Sequence, residues 1–141
     1  MKITQIQIRL VRRSFSLVST KAPQIAVLFF DRLFEIDPQM RRLFQDVDME
    51  RQGKKVMRML ALIISILDDE ASLDPTMQAM GKRHAKYGVR AEHYETFCEA
   101  LLWALERGLD KQFTPAMHEA WRATLEIITE KANDNIYGAL A

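Results

Sequence analysis

The sequence predicts an all-α fold built around a single hydrophobic core. Apolar residues recur at the three- and four-residue spacing of helices along most of the chain. Prolines stand where several of these periodic stretches begin, as they do in the first turn of a helix. Of the 141 residues, 48% are hydrophobic and 28% are charged, which is ordinary for one globular domain. We therefore expect about seven helices and a single domain over residues 1–141.

The N-terminal stretch has features of both a strand and a helix. Residues 6–10 alternate between apolar and polar side chains, as a half-buried strand does. No second segment of the chain could pair with such a strand. The pattern then continues at helical spacing through Val11, Ser14, Phe15 and Val18. We therefore predict a first helix from about Thr4 to Val18.

Prolines mark four further helix starts, at Pro23, Pro38, Pro75 and Pro115. Proline lacks a backbone N–H, which would have no partner in the first turn of a helix anyway. Three of these prolines follow a side chain that can accept a hydrogen bond from an exposed amide of that turn, namely Asp37, Asp74 and Thr114. The helix after Pro38 should be short, and polar connections are expected near residues 46–48 and 69–74.

Four stretches carry an apolar stripe along one helical face, which is expected to be buried. Their residues are Ile25, Leu28, Phe29, Leu33 and Phe34; Val56, Met59, Leu60, Ile63, Ile64 and Leu67; Tyr94, Phe97, Cys98, Leu101, Leu102 and Leu105; and Met117, Ala120, Trp121, Thr124, Leu125 and Ile128. Because Cys98 lies in the third stripe, we expect it to be a buried, unreactive thiol.

The charge balance and the cysteine content exclude several classes of function. Twenty basic residues against nineteen acidic ones leave a net charge of +1, whereas nucleic-acid-binding domains carry a larger, clustered positive excess. One cysteine allows no internal disulfide and favours a reducing compartment. The longest apolar run, Met59–Leu67, is too short to cross a bilayer. We expect a cytoplasmic protein with neither a nucleic-acid nor a membrane partner, and the sequence carries no signal for an oligomeric state.

His84 occupies a position that a helix would normally give to an apolar residue. It follows Met77 and Met80 at helical spacing, with Tyr87 near the next turn, so this face is expected to be buried. A buried histidine can be a core residue that is bonded to a backbone carbonyl, or it can be a metal ligand.

Gln52 is a second polar residue on an apolar face, four residues before Val56. Together, His84 and Gln52 place one nitrogen ligand and one neutral amide among apolar side chains. A single imidazole cannot hold a free metal ion against water, but it can bind an iron whose other ligands come from a porphyrin. His93 and His118 adjoin glutamates and are expected to be solvated.

Three segments of the chain resemble segments of globins. Residues 37–44 (DPQMRRLF) resemble the short third globin helix, which ends in a phenylalanine that packs on haem. Residues 80–89 (MGKRHAKYGV), with residues 92–94 (EHY) and 99–103 (EALLW), resemble the proximal segment of bacterial single-domain globins and flavohaemoglobins. Residues 119–121 (EAW) resemble the start of their last helix. The resemblance runs from about Ile8 to Lys131 and implies a globin fold of about seven helices packed around a haem pocket.

The resemblance implies haem b as the cofactor, with His84 as the proximal ligand of its iron. On the opposite side, Gln52 would donate a hydrogen bond to the bound gas, with Val56 over the iron and Phe30 facing the ligand. Phe44 would pack on the porphyrin. Further cofactor contacts are implied at Tyr94 on the proximal side, at Arg83 and Lys55 as partners of the haem propionates, and at Met80, Tyr87, Val89 and Phe97.

Two departures from the family pattern bear on chemistry. Many bacterial globins have a tyrosine where Phe30 stands, so Gln52 would be the sole nearby donor to bound O2. Losing one hydrogen bond of roughly 0.5–1.5 kcal/mol should speed O2 release about three- to tenfold. Ile136 stands where flavohaemoglobins place a glutamate that polarises the proximal histidine, which would weaken peroxidase-like chemistry. An offset in register would instead bring Lys54 or Lys55 to the distal side, where a lysine or water could be the sixth ligand.

The leading expectation is therefore reversible binding of O2, CO and NO for storage, transport or scavenging. One alternative is an NO dioxygenase, which would need a separate reductase because 141 residues leave no room for a flavin domain. Another is a gas sensor that acts through a partner. The remaining alternative is a helical bundle without haem, in which His84 is a core residue.

Overall fold

A computed structural model describes the backbone of residues 3–140 and the side chains of residues 3–133. Its α-helices are α1 (Gln5–Ser19), α2 (Ala22–Ile36), α3 (Met49–Ser65), α4 (Glu70–Lys86), α5 (Ala91–Leu109) and α6 (Pro115–Leu140). Two 3-10 segments, Pro38–Phe44 and Asp110–Gln112, connect α2 to α3 and α5 to α6. Within residues 3–140 there is no strand, so the predicted all-α architecture is confirmed.

The first helix begins one residue after its capping side chain, Thr4. The Gln7 amide donates to Thr4 Oγ1 over 3.1 Å, and the Thr4 amide donates to Gln7 Oε1 over 3.1 Å. This reciprocal pair satisfies two amides of the first turn. Ile8 and Val11 then face the core, at 2% and 0% exposure. The strand-like alternation of residues 6–10 is therefore overridden by a strong cap and by the burial of one helical face.

Three of the four proline marks are confirmed. Pro23 lies in the first turn of α2, Pro38 begins the first 3-10 segment and Pro115 begins α6. Asp37 and Thr114 each accept a hydrogen bond from a backbone amide of the turn that follows, over 3.1 and 3.2 Å.

The expected helix start at Asp74-Pro75 is wrong, and so is the polar connection expected at residues 69–74. Helix α4 begins at Glu70 because Asp69 caps it, accepting from the Ser72 amide over 3.3 Å and from Ser72 Oγ over 2.7 Å. Pro75 therefore lies inside the helix. At that depth its missing N–H removes one hydrogen bond from the helix, a loss that an already capped helix tolerates here.

Most of the packing between helices involves α2 or α6. Helix α2 contacts α5 and α3, while α4, α1 and α5 contact α6. The predicted stripe of α6 is buried over its whole length, including Trp121 at 0% exposure. Two glycines allow close crossings, because a Cβ at Gly108 would lie 2.5 Å from Ile25 Cγ1 and one at Gly53 would lie 3.0 Å from Ala26 Cβ. No helix among residues 3–140 is both long and apolar enough to span a membrane.

Candidate functional site

His84 and Tyr94 form a hydrogen-bonded pair between two helices. His84 lies in the last turn of α4 and is half-buried, and Tyr94 lies in the first turn of α5 at 5% exposure. The distance from His84 Nδ1 to the Tyr94 hydroxyl oxygen is 3.0 Å. Within the described side chains, Nε2 of His84 takes part in no hydrogen bond. The imidazole is therefore oriented through one nitrogen while the other remains available to a ligand.

Burial sets the protonation state of both partners. Desolvation, with a smaller contribution from the positive charge of Arg83, lowers the pKa of His84. Desolvation also raises the pKa of Tyr94 to about 12. At neutral pH the imidazole is therefore neutral, which is the form that binds metals, and the phenol keeps its proton. If Nε2 binds a metal, Nδ1 carries the hydrogen and donates it to the Tyr94 oxygen.

A chain of aromatic rings joins the His84–Tyr94 pair to the 3-10 segment on the other side of the core. Tyr94 contacts Phe97 at a centroid distance of 6.5 Å, and Phe97 stacks on Phe29 at 5.9 Å. Phe29 contacts Phe30 at 4.9 Å, and Phe30 meets Phe44 edge-on at 5.4 Å. The structure therefore brings together His84, Tyr94, Phe97, Phe30 and Phe44, five of the residues proposed from the sequence.

Helix α3 presents the predicted distal residues with two different exposures. Gln52 and Val56 are half-buried, whereas Lys54 and Lys55 are exposed. Gly53, next to Gln52, is buried, and a Cβ there would lie 3.0 Å from Ala26 Cβ, so α3 and α2 approach each other closely at this point. The exposure pattern matches the register with Gln52, rather than a lysine, on the inner side.

The remaining predicted contacts divide between core and surface. Met80 is 4% exposed, and Val89 is half-buried against the core. Arg83 is exposed, as expected of a side chain that would pair with a propionate at the surface. Tyr87 is 71% exposed, so its expected place on a buried stripe is wrong. It follows the last residue of α4, and the chain turns away at Gly88, whose φ is +89°.

His93 and His118 are both less solvated than the sequence suggested. His93 Nδ1 accepts the Arg90 amide over 2.8 Å and so caps the start of α5. The ring of His118 lies between two carboxylates, with Nε2 3.2 Å from Glu106 Oε1 and Nδ1 3.7 Å from Glu119 Oε1. These contacts account for the positions of both histidines without a metal or a cofactor.

Sequence reasoning assigned Phe29 and Gly53 no role at the site. Phe29 was assigned to the core stripe of α2, yet its ring is the link between Phe30 and Phe97. The sequence signal for Phe29 is its neighbour Phe30. Two adjacent aromatic residues on a helix point in different directions, so together they can contact rings on two sides of α2. The sequence signal for Gly53 is a glycine inside a helix, which usually has a packing reason. Ile136 lies outside the described side chains.

The donor set fits an iron that is already chelated. Among residues 3–133, no group of three or more His, Cys, Asp or Glu side chains is placed to hold a bare metal ion. His84 offers a single neutral nitrogen in an aromatic, half-buried setting. One axial nitrogen is what a haem iron requires of a protein when the macrocycle supplies the equatorial ligands.

Comparison with known proteins points in the same direction. The family profile described as Globin matches residues 27–132. A neuroglobin from Tetraodon nigroviridis is 31% identical over 134 residues, covering 85% of this chain and 84% of the relative. Neuroglobins from Chaenocephalus aceratus and Dissostichus mawsoni are 30% identical over 141 residues, covering 90% of this chain and 88% of each relative. The matched range includes every residue of the candidate site, from Phe30 to Phe97.

Proposed function

The chain belongs to the globin family, and on that premise we propose that it holds haem b through His84 and binds O2 reversibly for storage or transport. Globins are haem proteins whose partners are diatomic gases, so CO and NO are further ligands. The cofactor supplies the iron coordination position at which such a gas binds. The protein supplies one axial nitrogen, an apolar enclosure and one hydrogen-bond donor.

The observation that carries this proposal is the free Nε2 of His84. Its ring is fixed by the hydrogen bond to Tyr94, over 3.0 Å, and is kept neutral by burial. Nε2 is not among the buried side-chain atoms that lack a partner in the described part of the chain, so it is open at the edge of the core and accessible to a ligand. An unused nitrogen on an oriented ring is the usual arrangement of a metal ligand with its supporting partner.

The aromatic residues would exclude water from the gas site. Phe30 is 5% exposed and packs against Phe44. An apolar enclosure of this kind disfavours the charged species that form when ferrous iron is oxidised by O2. Gln52 would then be the donor that stabilises bound O2, while CO, which carries less charge on its outer atom, would gain little from it.

The proposed globin subfamily, domain extent and cellular location each rest on a separate feature of the chain. A place among the bacterial single-domain globins is supported by residues 80–103, although the relatives described above are vertebrate neuroglobins. One globin domain over residues 1–141 is consistent with the family match. The single cysteine supports a cytoplasmic location, because one cysteine cannot form an internal disulfide and suits a reducing compartment. Burial raises the pKa of this thiol, which therefore stays protonated. No described residue specifically favours the NO dioxygenase or the gas sensor.

The test is the rate of gas release from the ferrous protein in which Gln52 is replaced by leucine. Gln52→Leu should speed O2 dissociation about three- to tenfold, the equivalent of one hydrogen bond, and leave CO dissociation nearly unchanged. The matched control is Gln45→Leu, which changes an exposed glutamine beyond the 3-10 segment. Equal changes in the O2 and CO rates, or an equal effect of the control, would exclude Gln52 as the donor.

A further inference from the structure

Helix α6 carries a buried hydrogen-bond acceptor that no described residue uses. Oδ1 of Asn133 is inaccessible to solvent and has no hydrogen-bond partner among the described residues. Buried polar atoms are normally bonded, because an unsatisfied one costs about as much free energy as a lost hydrogen bond. The preceding residue, Ala132, is 0% exposed, so this turn of α6 reaches the core. Asn133 therefore requires a donor inside the protein.

The hydroxyl group of Tyr94 has a hydrogen that lacks an acceptor. A phenol can donate one hydrogen and can also accept hydrogen bonds at its oxygen. If His84 binds iron through Nε2, its Nδ1–H donates to the Tyr94 oxygen over 3.0 Å, and the phenol acts there only as an acceptor. Among residues 3–133 this hydroxyl makes no other hydrogen bond. Because Tyr94 is 5% exposed, bulk water has little access to it.

Helices α5 and α6, which carry these two groups, run antiparallel. Near the end of α5, Glu106 Oε1 lies 3.2 Å from Nε2 of His118, near the start of α6. Earlier in α5, Cys98 Sγ lies 3.2 Å from Thr129 Oγ1 and 3.9 Å from the carbonyl oxygen of Leu125. Contacts closer to the start of α5 are therefore made with residues closer to the end of α6.

One more turn along the same two faces leads to Tyr94 and Asn133. Tyr94 precedes Cys98 by four residues, and Asn133 follows Thr129 by four. Residues four apart lie on one face of a helix, about 6 Å from each other along its axis. Helix α6 also packs against α4, which carries His84. The register thus places the unpaired acceptor opposite the unpaired donor, where the three helices meet.

From this register we propose that Asn133 is a positioning residue, whose Oδ1 accepts the hydroxyl hydrogen of Tyr94 and so holds the phenol that orients His84. The inference rests on the proposed function, because it takes His84 as the iron ligand with its hydrogen on Nδ1. Consecutive hydrogen bonds polarise one another. An acceptor at Asn133 therefore strengthens the bond from His84 to the phenol as well as fixing the phenol in place.

A neutral acceptor at this position suits a reversible gas carrier. The amide of Asn133 accepts a hydrogen bond without bringing a negative charge toward the imidazole. A carboxylate there would make the imidazole a stronger electron donor to the iron, and strong donation favours cleavage of the O–O bond. Asn133 would therefore set the direction of the His84 ring while leaving its donor strength moderate.

The test changes the acceptor in two opposite ways. Asn133→Leu removes it, and Asn133→Asp replaces it with a carboxylate. Each change is also made in a Tyr94→Phe background, which lacks the hydroxyl that would transmit the effect. Thr129→Val is the matched control, because it removes a hydroxyl one turn away on the same face of α6 that contacts Cys98. The readouts are the iron–histidine stretching band, the ferric/ferrous midpoint potential, and urea unfolding of the protein as isolated.

We expect the two variants to shift the spectroscopic readouts in opposite directions. At about pH 9, where a buried carboxyl group is ionised, Asn133→Asp should raise the band frequency and lower the midpoint potential. Asn133→Leu should lower the frequency and raise the potential. Neither change should have an effect in the Tyr94→Phe background, and Thr129→Val should match wild type. The unfolding equilibrium constant should rise about three- to tenfold in Asn133→Leu, the equivalent of one hydrogen bond.

Several results would overturn the inference. An unfolding constant that stays the same or falls in Asn133→Leu would mean that Oδ1 has no donor to lose. Band shifts in the same direction in both variants, or shifts that persist without the Tyr94 hydroxyl, would indicate altered packing instead. The absorption spectrum of each protein is recorded first. A wild-type protein without a haem band would contradict the proposed function, whereas intact haem with an unmoved iron–histidine band in both variants would contradict this inference alone.

Discussion

The hydroxyl oxygen of Tyr94 lies 3.0 Å from Nδ1 of His84, and this contact joins the start of α5 to the end of α4. The pair is ten residues apart in sequence, across a turn in which Gly88 has a φ of +89°. The turn thus brings a buried phenol beside the imidazole that α4 carries. The contact determines which nitrogen of His84 remains available and in which direction it points.

Replacing Tyr94 with phenylalanine should loosen the proximal imidazole without removing it. The change deletes one hydrogen bond of roughly 0.5–1.5 kcal/mol. We expect haem to be lost to an acceptor protein about two- to tenfold faster, and the iron–histidine stretching band in the resonance Raman spectrum to shift or broaden. Tyr87→Phe is the control, because Tyr87 is 71% exposed. If both variants behave like wild type, the Tyr94 contact does not support the ligand.

Replacing Phe30 with tyrosine should restore a second donor near the bound gas. Phe30 is 5% exposed and packs edge-on against Phe44 at 5.4 Å. We expect O2 dissociation to slow about three- to tenfold, measured by stopped-flow displacement with CO. Phe34→Tyr is the matched control, since its ring belongs to the same cluster. An equal slowing in the control would mean that the effect comes from cluster packing and not from a hydroxyl aimed at the gas.

Replacing Ser14 with alanine should destabilise the fold through Trp121. The indole N–H of Trp121 donates to Ser14 Oγ over 2.7 Å, and both residues are 0% exposed. The variant leaves a buried donor without its partner, which costs about 1–3 kcal/mol of unfolding free energy. Urea denaturation of the ferric protein measures this loss. Ser16→Ala, at an exposed position of the same helix, should change the unfolding free energy by less than about 0.5 kcal/mol.

Cys98 should react slowly with thiol reagents in the native protein. Burial raises the pKa of its thiol, and only part of this shift is offset by the contact with Thr129 Oγ1 at 3.2 Å. Less thiolate is therefore present at pH 8, and the thiolate is the reactive form. We expect Ellman's reagent to react at least about tenfold more slowly than in urea, with no reaction in Cys98→Ser. Native and unfolded rates that agree would place Cys98 at the surface.

The raised pKa of Cys98 also predicts how stability depends on pH. Since the folded pKa lies above the unfolded one, the contribution of the neutral thiol is fully present below the unfolded value. It is lost as pH rises through the folded pKa. The unfolding free energy of wild type should therefore decline more steeply above about pH 9 than that of Cys98→Ser.

Helical periodicity predicted most of the fold because burial of one face was strong in each helix. The stripe of α6 is buried as expected, and so is Leu60 of α3. Capping was harder to predict, since a strong cap at Asp69 competed with the Asp74-Pro75 pair five residues later. Asp69 and Asp74 are both residues that can cap a helix, so the sequence does not decide between them. Packing against α6 favours the longer α4 that begins after Asp69.

The site was less accessible to sequence reasoning, because its contacts join distant parts of the chain. The family resemblance indicated His84 and Tyr94, but their direct contact depends on the turn between α4 and α5. The ring chain through Phe29 depends on how α2 packs against α5. Tyr87 continued the helical pattern, yet it lies beyond the last residue of α4, where a one-residue difference in the helix end changes the direction of the side chain.

The most direct measurement of the central claim is the absorption spectrum of the purified protein, recorded ferric, reduced, and reduced with CO. Wild type is expected to show an intense haem band that shifts on reduction and again on CO binding. His84→Ala should not retain hemin through gel filtration, whereas His93→Ala, which changes a histidine that caps α5, should retain it. A wild-type haem content in His84→Ala, or no haem band in wild type even after hemin is added, would contradict the account.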